Sequence, residues 1–300
     1  MALIGVSIAF VLWLPTDCPD NYLLASIDKE NRLMQLQSSK IVVIGGSNTV
    51  FNIDSREISA ATGLPVVNMG LHAGLGLQYM LNEVEAQIQA DDILLIMPEY
   101  DQFFDRMFDG GRTTLHLIML NPSVFRHIKT WRQTIALLKN VGLEARSKIV
   151  FLLGKNFNEE IYSRRSFDEF GDLRGEIIGS ESQIDLQTEN YWINAVQDID
   201  KTSIRQMNRF YTRATGKGVR VFLAFPPVSL EKYPNNRQNF IDMEDYFCQN
   251  VEIPLLISPG AVKIPAIKYF NTFYHLNTIG RQQYTSALIA ALKILSESDK

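Results

Sequence analysis

Four consecutive β-branched residues, Ile41-Val42-Val43-Ile44, run straight into Gly45-Gly46-Ser47. Side chains branched at Cβ are stiff at χ1 and pack well on a pleated surface, so the run predicts a strand. It lacks polar alternation, so both faces of that strand must be covered, as in a parallel sheet between two layers of helix. The glycine pair predicts a tight turn presenting the Ser47 hydroxyl at the carboxyl edge of the sheet, where open α/β folds place their ligands. Near the other end of the chain, Y-F-N-T-F-Y-H-L-N-T-I-G-R (Tyr269 to Arg281) sets His275 just before a terminal helix. Together the two segments look like the halves of a serine hydrolase site.

Between them the pattern alternates. A lead-in helix over Tyr22 to Leu36 precedes the first strand, and a helix from Asp54 to Gly63 follows it. P-V-V-N-M-G is a second short strand with the glycine-rich exit Gly70 to Leu77, Met80 to Gln89 a helix, and D-D-I-L-L-I-M-P-E-Y a third buried strand. Strands alternating with helices at this rhythm predict an α/β fold, a parallel sheet with helices on both faces. Residues 101–200 are less regular and read as a long central insertion, helical over Pro122 to Val141, that forms a lid over the site. The α/β pattern resumes with a helix Thr202 to Thr215, the strand V-R-V-F-L-A-F, a helix Asn239 to Cys248, a strand near Pro254 to Ile257, and a closing helix Arg281 to Ser296. The expected organisation is an N-terminal segment over 1–15, the lead-in over 16–39, and one domain over 40–300.

Bulk properties narrow the function classes. The 300-residue chain has a net charge of −4 and no consecutive basic block, so it carries no electrostatic footprint for nucleic acid. Two cysteines, Cys18 and Cys248, make neither a disulfide framework nor a metal-ligand spacing, and they are either free thiols or one pair. No cofactor or metal is expected. Gly70, Gly74 and Gly76 lack dinucleotide-binding spacing and no Walker A sequence occurs. The apolar run before Pro15 is about 13 residues, ~20 Å as a helix against a hydrocarbon core of ~30 Å. It has no basic residue before it and no A-x-A site, so it does not read as a signal peptide. Two expectations remain for it: a membrane anchor, favoured by the Trp13-Leu14-Pro15 edge followed by Asp17 and Asp20, or an apolar helix buried in the domain.

In a parallel sheet the carboxyl ends of the strands converge on one edge, so four loops can meet there. They carry Ser47, then Asn68 and Gly70, then Pro98-Glu99-Tyr100, and finally His275. This block order resembles the SGNH or GDSL-like hydrolases over about Lys40 to Leu295. More narrowly, G-G-S-N-T-V-F-N-I-D-S, N-M-G-L-H-A-G-L-G and Y-H-L-N-x-x-G-R-x-x-Y-T look like bacterial membrane-anchored SGNH-like proteins related to those that act on cell-envelope polymers. The resemblance implies a three-layer flavodoxin-like domain facing the periplasm or cell exterior, with the cytoplasm as the alternative. It implies Ser47 as nucleophile, His275 as base, and an oxyanion hole from the amides of Ser47 and Gly70 with the Tyr100 hydroxyl. Asn48, His72 and Glu99 would contact substrate.

The chain departs from that family at two places. Thr272 stands where the superfamily has the aspartate three residues before the histidine, and Asn271 stands where the anchored branch has it. An amide cannot stabilise an imidazolium as a carboxylate does; the equivalent change in a serine protease costs ~10⁴-fold. The third block offers Glu99 and Tyr100 in place of an asparagine, and an ionised Glu99 would repel an oxyanion. The expected activity is hydrolysis or transfer of an acyl ester on an envelope carbohydrate, with a membrane O-acyltransferase as a partner candidate. The rival is a non-catalytic scaffold that binds a polysaccharide or such a partner. A third option is phosphate binding at the Gly-Gly-Ser turn. Arg164-Arg165 is a candidate contact for an anionic polymer.

Overall fold

A computed structural model describes residues 19–152, 162–184 and 194–298. Five parallel strands form the central sheet: β1 (Ile41–Gly45), β2 (Val66–Asn68), β3 (Ile93–Met97), β4 (Arg220–Ala224) and β6 (Leu255–Ile257), in the order β2-β1-β3-β4-β6. Two short pairs flank it, β5 (Val228–Ser229) with β7 (Lys263–Ile264), and the antiparallel hairpin β8 (Tyr269–Thr272) with β9 (His275–Leu276). The helices are α1 (Ala25–Gln35), α2 (Ser47–Asn52), α3 (Ser55–Thr62), α4 (Leu77–Val84), α5 (Arg112–Leu120), α6 (Trp131–Leu152), α7 (Gly175–Ile178), α8 (Lys201–Thr215), α9 (Tyr233–Asn250) and α10 (Thr278–Ser298).

The predicted double coverage is present. Successive side chains of a strand point to opposite faces, and here both sets are apolar: Val42, Ile44, Leu94 and Ile96 pack with α1, α4 and α8, while Ile41, Val43, Leu95 and Met97 pack with α3 and α10. The result is an α/β sheet flanked by helices on both faces, compatible with a flavodoxin-like fold. The chain runs outward from β1 to β2 and then crosses back to β3, so the loops leaving β1 and β3 diverge to opposite faces and leave a crevice between them. Ser47 follows β1 at that crevice and Glu99 follows β3.

Several boundaries differ from expectation for local reasons. The helix expected over Met80 to Gln89 runs from Leu77 to Val84: Gly76 at φ 82° opens it early, and Asp92 captures the Gln89 amide beyond its end. The helix expected over Pro122 to Val141 divides. Asn121 caps a 3-10 turn over Pro122–His127, and Thr130 with Gln133 starts α6 afresh by exchanging side-chain and backbone hydrogen bonds. Residues 1–18, where the anchor expectation falls, lie outside the described residues, as does Cys18. Among the described residues no helix is long and apolar enough to cross a membrane.

Candidate active site

Ser47 opens α2, with Gly46 as the cap residue before it. The strand ends close to its neighbour: a Cβ on Gly45 would lie 2.3 Å from the Met97 carbonyl oxygen, and one on Gly46 would lie 2.5 Å from Glu99 Oε1. The glycine pair is therefore required by close approach of β3 and of the Glu99 carboxyl. The far end of α2 is clasped from α10. Buried Arg281 donates from Nε to the Phe51 carbonyl, from Nη2 to Val50 and from Nη1 to Leu173, at 2.7 to 2.8 Å. Asn52 Oδ1 accepts the Leu276 amide at 2.9 Å, which ties α2 to the hairpin that carries the histidine.

That hairpin sets the second half of the site. His275 Nε2 lies 2.8 Å from Ser47 Oγ, and His275 Nδ1 lies 2.7 Å from Asn271 Oδ1. Asn271 Nδ2 donates to the Tyr162 hydroxyl at 3.3 Å, which orients the amide with its oxygen toward the ring. Nδ1 therefore carries the proton and Nε2 presents a lone pair to the serine. The Thr272 hydroxyl is turned away and accepts the Tyr274 amide. Of Asn271 and Thr272, it is Asn271 that faces the imidazole. The ring stacks on Phe51 with centroids 3.8 Å apart and an interplanar angle of 6°. Burial lowers the His275 pKa to about 3, helped by nearby His72, so the imidazole stays neutral over the ordinary pH range and is available as a base.

Glu99, expected as a substrate contact, stands at the centre of the site and touches the serine itself. Its buried Oε1 lies 3.1 Å from Ser47 Oγ and 3.2 Å from the Asn48 amide, and the carboxyl also accepts from the Ser47 amide. Its own amide is held by Gln102 Oε1, and Gln102 Nε2 reaches the Ala73 carbonyl. Burial raises the carboxyl pKa to about 7 despite the hydrogen bonds from Asn48 and Ser47, and Asp101 adds to the rise. Neutral or ionised, Glu99 accepts the Asn48 amide; ionised, it also competes for the serine proton.

Three expected roles do not survive the geometry. The Tyr100 hydroxyl donates to the Pro226 carbonyl at 3.0 Å and accepts the Gly260 amide, buried against Phe225 and Phe240, so it serves the core and not an oxyanion. The Gly70 amide donates to Asn68 Oδ1 at 2.9 Å, and Asn68 is itself held by Asp172, so this donor is occupied. Asn48 is fully buried with Nδ2 on the Met97 carbonyl; only its backbone amide faces the site, and the side chain has no access to substrate. The amides nearest the serine are those of Ser47 and Asn48 at the start of α2, and the Glu99 carboxyl accepts from them.

The serine and histidine open into a cleft of about 1050 Å³, lined also by Glu99, His72, Tyr22, Tyr162 and Tyr274. His72 is positioned by its Nδ1 accepting the Gly74 amide at 2.9 Å. The opposite wall comes from α5 and α6. There Glu144, buried, binds both His116 Nδ1 and Arg112 Nε, a cluster that no sequence motif marks because its members are 28 and 32 residues apart on two helices. Arg165 lines the cleft in an ion pair with Asp20, whereas Arg164 is spent on Asp28. Among the described residues no cluster of His, Cys, Asp or Glu could hold a metal ion. No family model matches the chain, and no curated protein does.

Proposed function

We propose that this chain is a serine esterase or O-acyltransferase of SGNH type, a three-layer flavodoxin-like domain with an insertion between β3 and β4, acting on an acylated carbohydrate. The observation that carries it is the unbroken line Asn271 Oδ1, His275 Nδ1, His275 Nε2, Ser47 Oγ at 2.7 and 2.8 Å, at the crevice between β1 and β3. A serine hydroxyl donating to a neutral, oriented imidazole is the arrangement of an activated nucleophile. Ser47 Oγ attacks the acyl carbonyl carbon while its proton passes to His275 Nε2. The imidazolium returns that proton to the departing sugar oxygen, leaving an acyl ester on Ser47. Water or an acceptor hydroxyl then gives its proton to Nε2, attacks the ester carbonyl, and Ser47 Oγ recovers the proton. The developing oxyanion is met by the amides of Ser47 and Asn48, which the Glu99 carboxyl releases as the acyl group enters. An open cleft walled by three tyrosine rings and many hydrogen-bonding groups supports a carbohydrate over an apolar ligand. The same proposal places the domain outside the cytoplasm on an N-terminal anchor, beside a membrane O-acyltransferase.

The test is labelling by a fluorophosphonate probe, followed by acetate release from an O-acetylated glycan. Label on wild type but not on Ser47→Ala or His275→Ala is expected; label that persists in Ser47→Ala, or no label at all, defeats the catalytic assignment. A second proposal, a non-catalytic glycan-binding scaffold, is favoured by the Glu99 carboxyl seated on the amides an oxyanion needs. It predicts glycan binding with no label.

A further inference from the structure

We propose that the outer face of α6 seats on an anionic phospholipid surface, an interaction independent of the chemistry at Ser47. Trp131, Leu138, Gly142 and Ile149 follow one another at intervals of seven, four and seven residues, which places them along one line of the helix. Trp131, Leu138 and Ile149 are 71%, 66% and 44% exposed, and Leu143 beside them is 55% exposed. Phe125, 57% exposed, extends the patch before the helix begins. Over about 27 Å of helix this is a contiguous apolar ridge, which a water-facing surface rarely keeps.

Charge identifies the occupant. The exposed charged residues of α6 are Lys139 and Arg146, both cations, and the only acidic residue of the helix, Glu144, is buried toward the cleft. An apolar stripe with a tryptophan and a cationic flank fits the boundary of a bilayer: the ring and aliphatic side chains enter the acyl region while the long cationic side chains reach the phosphates. A second copy fits poorly. Two such faces would oppose cations to cations, with no exposed acid on either helix to pair them. The location agrees with this occupant. Asp20 and Asn21 line the same cleft as Glu144 and Ser147 of α6, so the chain just beyond the apolar N-terminal run reaches the cleft that α6 borders.

The experiment uses the full chain with phosphatidylcholine vesicles, with and without phosphatidylglycerol, made with plain or brominated acyl chains. The chain has three tryptophans, Trp13, Trp131 and Trp192, so the difference between wild type and Trp131→Phe isolates one reporter. Expected is quenching of Trp131 by brominated lipid that strengthens with phosphatidylglycerol and weakens with salt. A Leu138→Ser, Ile149→Ser variant is expected to bind about tenfold more weakly or worse, because two apolar side chains leave the lipid. Bound protein whose Trp131 is not quenched overturns the proposal. So does a dimer by light scattering that the double variant abolishes, since the face would then belong to a second copy. A fall in melting temperature of the double variant without lipid also overturns it, since the ridge would then be covered by the chain itself.

Discussion

At the scale of single residues, the site combines a well-placed base with two unusual neighbours. Glu99 makes the clearest prediction. Its folded pKa is raised to about 7 from the ordinary 4.5 by burial, so between those values the folded protein holds a proton that the unfolded chain has released. The stabilisation this group contributes is complete below the unfolded value and is lost as pH rises through about 7. Activity follows the same direction. Ionised Glu99 draws the Ser47 proton away from His275 and repels an oxyanion, so kcat/KM on an activated acetyl ester should fall above about pH 7, where a serine esterase ordinarily rises. The acid limb lies low, because the imidazole titrates only at about 3. Glu99→Gln should remove the alkaline decline; a decline unchanged in that variant would separate Glu99 from the chemistry. Asn271 makes the second prediction. Asn271→Asp keeps an acceptor on His275 Nδ1 and adds the charge that stabilises an imidazolium, and the Tyr162 hydroxyl, now at the Asn271 amide, can donate to it instead. The expected gain in kcat/KM is between about 10-fold and 10⁴-fold, with the upper figure reserved for a well-formed site, and it should vanish on adding Ser47→Ala. No gain would mean that stacking on Phe51, a cation–π contact once the ring is protonated, already does what the carboxylate would do.

At the scale of elements, α2 is six residues long and cannot be stable alone. It is held at its start by β1 and Glu99 and at its end by Arg281. Arg281→Met removes the donor from the buried Phe51 and Leu173 carbonyls, while Val50 keeps the Leu173 amide, and the expected loss is about 3–5 kcal/mol, measured as the shift in chemical unfolding midpoint. Fluorophosphonate labelling should slow even where the variant is folded, because α2 carries the nucleophile; an unchanged stability would show the clasp to be dispensable. The elements also show what was legible beforehand. The β1 run and its glycine pair were readable because β-branched patterning and turn chemistry are local. His275 was readable as a loop residue before a helix, but the hairpin β8–β9 was not, since it is only a few residues long and its pairing depends on contacts with α2. That hairpin is what decides between Asn271 and Thr272. Tyr100 and Gly70 were misassigned for a related reason: a sequence shows which loop a donor stands on, not whether another buried acceptor has already taken it. Glu144, His116 and Arg112 carry no local signal because they meet only through the packing of α5 on α6.

At the scale of the molecule, the cleft joins segments remote in the chain, and its entry wall is the stretch just after the apolar N-terminal run. Tyr22 is buried there; its hydroxyl donates to the Leu71 carbonyl at 2.7 Å, and its ring meets Tyr162 and Phe167 at centroid distances of 5.5 and 5.0 Å. Tyr162 in turn holds the Asn271 amide, and Asn271 orients His275. Asn21 bridges to Ser163, and Arg164 and Arg165 pair with Asp28 and Asp20 across the same seam. Two truncations therefore separate fold from attachment. A chain lacking residues 1–18 keeps every contact just named, so its melting temperature should stay within about 2 °C of the full chain, less than one kcal/mol on the scale for a domain of this size, with labelling of Ser47 intact. A chain lacking residues 1–24 loses a buried tyrosine, the Asn21–Ser163 bridge and the Asp20–Arg165 pair, a cost of about 3–5 kcal/mol for the aromatic side chain alone, or a fall of about 6–20 °C. It should also label slowly, because Tyr162 no longer fixes the amide behind the histidine. Thermal scans and labelling rates on the same two proteins give the result. If the shorter truncation already collapses the melting temperature, the apolar run packs into the domain and is not a membrane segment; if the longer one labels at the full rate, the path from Tyr22 through Tyr162 to Asn271 does not position His275.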